Sequence, residues 1–175
     1  MNYLITSAAT KNSEYVDYLQ KQRDYFESKG ALYYGMVLED RGEWRENTKI
    51  KPEAILNAFK INLFSMVLWI DSDCIIDPPE EAPLGDWDIG TLKNIHPKHK
   101  CKISAGFILF KNTPNTIKFL EKWEQLNKKH VKDHPALMEA LGASQSWLKT
   151  VDISNWLEGR HTINALAVHR GAHNG

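Results

Sequence analysis

Short apolar runs alternate along the whole chain with stretches whose apolar residues recur at helical spacing. Asn2 to Thr6 reads as a first strand ending in the small polar loop "TSAATKNS". From Glu14 to Ser28, the spacing of Val16, Leu19 and Phe26 predicts a helix closed by Gly30, and "ALYYGMVL" is a second strand. The polar segment "EDRGEWRENTKI" leads to Pro52, placed for a first helical turn, with Ile55, Ala58, Phe59 and Leu63 on one face. "VLWID" follows as a strand, and the proline-rich "DPPEEAPLGD" as a loop, since it can be neither regular helix nor central strand. "WDIGTL" and "CKISAGFILFK" are strand candidates. Thr113 and Pro114 cap an amphipathic helix carrying Ile117, Leu120, Trp123 and Leu126. A short helix from Pro135 to Leu141, closed by Gly142, and strand-like pieces around "TVDI" and "NALAV" complete an α/β pattern with no linker, so residues 1–175 form one domain.

Composition narrows the function classes. With 175 residues, 42% hydrophobic and 25% charged, the chain can bury a core of its own. Its 22 basic and 22 acidic side chains cancel, so no global field recruits nucleic acid and anion binding must be local. Cys74 and Cys101 are too few for a disulfide framework, and "MNYLITSAATK" lacks the basic end and apolar stretch of a signal peptide, which together point to a reducing, cytoplasmic setting. "MVLWI" and "AGFILF" fall far short of the roughly 20 residues that cross a bilayer, so no transmembrane segment is expected.

The chemistry concentrates in "VLWIDSDCIID". In an extended stretch Asp71 and Asp73 point to one side while Ser72 points away. Open α/β sheets bind ligands beyond the carboxyl ends of their strands, where this pair lies. Carboxylates at this spacing are hard oxygen ligands for Mg²⁺ or Mn²⁺, ions that complete their shells with water and substrate phosphates, so a diphosphate is the natural third party. The competing account makes one aspartate an Asx-turn and the other a solvated residue at a loop start. Asp77, outside the tight pair and followed by Pro78, is left out of the set.

The helix "KPEAILNAFK", the strand "VLWIDSD", the proline-rich loop, "SAGFILFKNTP" with its helix, "DHPALMEAL" and "VHRGAHNG" together resemble a small GT-A-fold glycosyltransferase of glycogenin-like layout. The resemblance implies a three-layer α/β/α fold with a mostly parallel central sheet. It also implies metal-dependent transfer of a sugar from a nucleotide-sugar donor, of the UDP- or GDP-sugar class, to a hydroxyl acceptor. Asp71 and Asp73 would hold the Mn²⁺ or Mg²⁺, with His169, ahead of His173, as a further ligand; the basic and aromatic residues that follow this histidine in the group are missing here. Thr6, Ser7 and Ala8 would receive base and ribose, Lys51 and Arg45 would bring positive charge to the diphosphate, and Ser72 is counted with these donor-binding residues. Gly106, with Ser104 beside it, would let the donor sugar or acceptor lie close to backbone. Asp133, in Asp-His where the group has Asp-Gln, would act on the sugar side: as general base in an inverting reaction, as a donor-orienting residue in a retaining one.

Rival readings are a haloacid-dehalogenase-type phosphotransferase, which lacks its later pair of adjacent aspartates here, and a non-catalytic nucleotide- or metal-binding protein of the same fold. An EF-hand is excluded because Ile75 and Ile76 replace the needed ligand and glycine. His96, His99 and Cys101 in "HPKHKC" have no second half of a zinc site and read as a basic loop. Trp69, Phe107, Phe110, Phe119 and Trp123 fit core periodicities, whereas Trp44 and Trp87 lie in polar or loop contexts and could border an acceptor.

Overall fold

Leu4–Thr10 forms β1, buried along its whole length between two parallel neighbours, β2 (Tyr33–Leu38) and β3 (Met66–Ile70). Such a central strand needs no polar face, which is why it runs on through Ser7, Ala8, Ala9 and Thr10, where the sequence suggested a loop. The computed structural model describes residues 2–61, 64–93 and 102–158, and the backbone of 161–162. β4 is Ile75–Ile76, β5 Ile89–Lys93, β6 Ile103–Lys111, β7 Thr150–Asp152 and β8 His161–Thr162. The main sheet has the order β2-β1-β3-β6-β5-β7, and only β6 runs against the others; β4 and β8 make a separate antiparallel pair.

Period-two alternation along the strands feeds two cores. Leu4, Val67, Trp69, Ile108 and Phe110 face one side of the sheet, covered by α3 (Lys51–Lys60), α4 (Pro114–Asn127) and α5 (Asp133–Ser144). Ile5, Leu68, Ile70, Phe107 and Leu109 face the other, covered by α1 (Tyr15–Ser28) through Phe26 and by the proline-rich loop through Ala82 and Trp87. The result is the three-layer α/β/α arrangement with a mostly parallel sheet.

Local signals explain most boundaries. Gly30, at φ 67°, takes the left-handed conformation just past α1. Pro52 sits in the first turn of α3, and the Thr113 hydroxyl accepts the Thr116 amide at 3.1 Å to cap α4. The polar segment before α3 holds a short helix, α2 (Trp44–Asn47), and a 3₁₀ turn, Thr48–Ile50. α5 is longer than the sequence suggested: it begins at Asp133 and passes through Gly142 to Ser144, because Ala136, Leu137, Ala140 and Leu141 bury a stripe that outweighs the glycine. Lys132 is its N-cap. Trp87 is buried, its ring under the Lys111 ammonium at 4.1 Å and its Nε1 donating to Pro83 O, so it borders no open site. Leu63, His96, His99, Cys101, the "NALAV" stretch, His169 and His173 lie outside the described residues.

Candidate active site

β3 ends at Ile70, but Asp71 still donates its amide to Gly106 O on β6, at 3.0 Å. The chain then folds over: Cys74 N reaches back to Asp71 O at 2.9 Å, so Asp71–Cys74 is a turn rather than extended strand. The shared side expected from strand alternation is therefore replaced by a turn that brings Asp71, Ser72 and Asp73 together onto one cavity of about 360 Å³. Ala8, Ala9 and Thr10 at the end of β1 line the same cavity, with Tyr15 at the start of α1 and Trp44 on α2; Trp44 is 54% exposed.

Lys51, the first residue of α3, is buried at the back of this cavity. Its Nζ lies 2.9 Å from Asp71 Oδ1 and 2.9 Å from Asp133 Oδ2, and also donates to Asp71 Oδ2 at 3.1 Å and Ala105 O at 3.3 Å. Burial pulls the ammonium's pKa down; Asp133 and Asp71 more than reverse this and hold it above the ordinary lysine value. Trp69 Nε1 donates to Asp71 Oδ1 at 3.0 Å, so this carboxylate is fixed from two directions. Among the described residues, Asp73 has neither Lys51 nor Trp69 as a hydrogen-bond donor: Cys74 Sγ lies 3.4 Å from its Oδ1, and burial together with the Asp71 charge pushes its carboxyl above the usual aspartate range. A cation placed against Asp73 and Asp71 would relieve that cost. Among the described residues no group of three or more His, Cys, Asp or Glu converges on one point.

The other sequence-predicted residues divide clearly. Thr6 and Ser7 are strand residues with no exposed surface; their hydroxyls donate to Tyr34 O and Ile70 O, at 2.8 Å each, and they do not line the cavity. Ala8 and Ser72 do line it. The charge of Lys51 is committed to two carboxylates rather than standing free for a diphosphate. Arg45 is exposed on α2 and Ser104 is buried, its Oγ accepting the Gly106 amide at 3.2 Å. Asp133 sits behind Lys51 with its side chain 12% exposed. Gly106 makes room for Asp71: a Cβ there would meet Asp71 Oδ2 at 3.2 Å. A side chain at this position would therefore crowd Asp71 within its Lys51–Trp69 grip.

Two residues of this region escaped the sequence reading. Trp69 was placed in the core, where it is, but it also stands two positions before Asp71, the spacing that lets its Nε1 reach the carboxylate. Gln22 is fully buried on the apolar stripe of α1 between Leu19 and Phe26, a polar residue at a core position.

No family model matches the sequence, and no curated protein does either. Solved structures do. The fold matches that of a glycosyltransferase involved in the glycosylation of the major capsid of PBCV-1, with TM-score 0.69 and 16% identity over 87% of this chain and 81% of that one. It also matches the catalytic domain of Drosophila β1,4-galactosyltransferase 7, solved with xylobiose, with TM-score 0.53 and 12% identity over 89% of this chain and 66% of that one. The fold is therefore that of the GT-A glycosyltransferases, and at these identities the likeness is one of fold.

Proposed function

We propose that the protein is a divalent-metal-dependent glycosyltransferase that moves a sugar from a UDP- or GDP-sugar donor to a hydroxyl acceptor. The observation that carries this reading is the charge of the cavity. Among the described residues that line it, Glu14, Asp71 and Asp73 are acidic and Lys51 is the only base, already shared between Asp71 and Asp133. A diphosphate entering such a wall needs a counter-cation, and Asp71 with Asp73 is where one would be held. Bound there, Mn²⁺ or Mg²⁺ would supply Lewis-acid stabilisation of the charge that builds on the departing nucleoside diphosphate.

The chain's own residues supply the rest. Trp44 and Tyr15 offer aromatic faces at the cavity for a ring of the donor or acceptor, and Ala8 leaves room at the end of β1. Asp133 is proposed to act on the sugar side, and its ion pair with Lys51 favours the orienting role over that of a free base. His169 is retained as a proposed third metal ligand.

The test is a panel of nucleoside diphosphates and nucleotide sugars, each with and without Mn²⁺, read by thermal shift and by donor hydrolysis. A ligand bound at 100 times its Kd stabilises by about 2.7 kcal/mol, several degrees for a chain of this size. We expect a nucleoside diphosphate to raise Tm only when Mn²⁺ is present, and one nucleotide sugar to be turned over. Metal-dependent binding with no turnover of any donor or acceptor pair would favour the non-catalytic reading, and no metal-dependent binding at all would sink the proposal.

A further inference from the structure

The Gln22 side chain makes three hydrogen bonds inside the protein. Its Nε2 donates to Asp71 O at 2.9 Å and to Cys74 O at 2.7 Å, and its Oε1 accepts from the Tyr33 hydroxyl at 2.8 Å. The orientation of the amide is forced, because two backbone carbonyls can only accept; the NH₂ must face them, and the oxygen is left for Tyr33. Tyr33 is in turn held in place. Its ring stacks on Phe26 with centroids 5.3 Å apart, and Gly35 leaves it space, since a Cβ there would meet the Tyr33 hydroxyl at 2.9 Å. Burial raises the phenol's pKa, so it stays a donor through the physiological range.

The two carbonyls Gln22 grips are the feet of the turn that carries Ser72 and Asp73. Asp71 has Lys51 and Trp69 to fix its carboxylate, whereas the direction of Asp73 depends on the backbone of this turn. We propose that Gln22, oriented by Tyr33, is the positioning residue that aims Asp73 into the cavity, linking α1 and β2 to the metal-holding turn. The proposal rests on the reading of Asp71 and Asp73 as a metal pair. Residues that orient metal ligands typically change affinity by about 10- to 100-fold when removed.

The test uses Mn²⁺ alone, titrated into the donor-free protein and followed by the electron paramagnetic resonance of the free ion. Gln22→Met keeps the volume and removes both donors, and its Mn²⁺ Kd should rise about 10- to 100-fold. Tyr33→Phe should give a smaller rise in the same direction, about threefold, and carries the test if Gln22→Met does not fold. Combined with Asp73→Asn, neither variant should weaken the residual affinity further, because the ligand they aim is gone. Wild-type Mn²⁺ affinity in Gln22→Met and Tyr33→Phe, alongside its loss in Asp73→Asn, would overturn the positioning role and leave the metal site standing. An equal loss with and without Asp73 would also overturn it, as the mark of general loosening. Unchanged affinity in Asp73→Asn would bring down the metal reading and the positioning role with it.

Discussion

Asp73→Asn is expected to lower Mn²⁺-dependent turnover of a nucleotide sugar by about 10³-fold or more while slightly raising the Tm of the metal-free protein at neutral pH. Both effects come from the same frustrated carboxylate. Burial and the neighbouring Asp71 charge raise its pKa in the folded state, so the stabilising protonation is complete below the ordinary aspartate value and is lost as pH rises through the higher, folded one. At pH 7 the charged side chain is a cost that asparagine removes. The Tm advantage of the variant should therefore shrink on acidification and vanish near the ordinary aspartate range. Adding Mn²⁺ should reverse the order, since the ion stabilises the wild type and finds no pair in the variant. A variant that keeps wild-type turnover, or that melts lower than wild type at pH 7 without metal, contradicts this account.

How far these features could be read from the sequence depended on how local their physics is. The Thr113–Pro114 start of α4, the Gly30 stop of α1 and the apolar strand running into Asp71 are short-range signals, and each stands where it was expected. The polar small residues Thr6 to Thr10 misled because their meaning depends on neighbours: a serine or threonine at a turn and one in a central strand look alike until Tyr34 O and Ile70 O arrive to take their hydroxyl protons. Trp87 misled for the same reason, since its polar surroundings in sequence give way to a core built by the proline-rich loop folding back on the sheet. Strand alternation was the reason to expect Asp71 and Asp73 on one side; in the structure a turn, not alternation, brings both residues to the cavity. Lys51 and Asp133 were singled out separately, one for the diphosphate and one for the sugar. Only the packing of α3 and α5 on the same face of the sheet reveals them as an ion pair.

Replacing Lys51 with methionine is expected to be the most destabilising single change at the site. The ammonium is buried and compensates two carboxylates at once, and its removal would leave the buried Asp133 and the half-buried Asp71 without the counter-ion they share. Breaking a buried pair in this way typically costs about 3–5 kcal/mol, roughly 10 °C in Tm for a chain of this size. The wild-type contribution of the ammonium has a definite pH dependence. In the wild type the folded pKa of Lys51 lies above its ordinary value, so its stabilisation is complete below that value and is lost only in strong alkali, flat across the neutral range. Asp133→Asn placed on top of Lys51→Met removes one of the two stranded charges and should recover part of the stability, a non-additive result that independent sites would not give. Activity should fall with the single variant, because Asp71 would keep only Trp69 to hold it. Melting curves at pH 7 for wild type, Lys51→Met, Asp133→Asn and the double variant decide the matter: a Lys51→Met Tm within about 2 °C of wild type, or no recovery in the double variant, would show that the ammonium is not what holds these two carboxylates together.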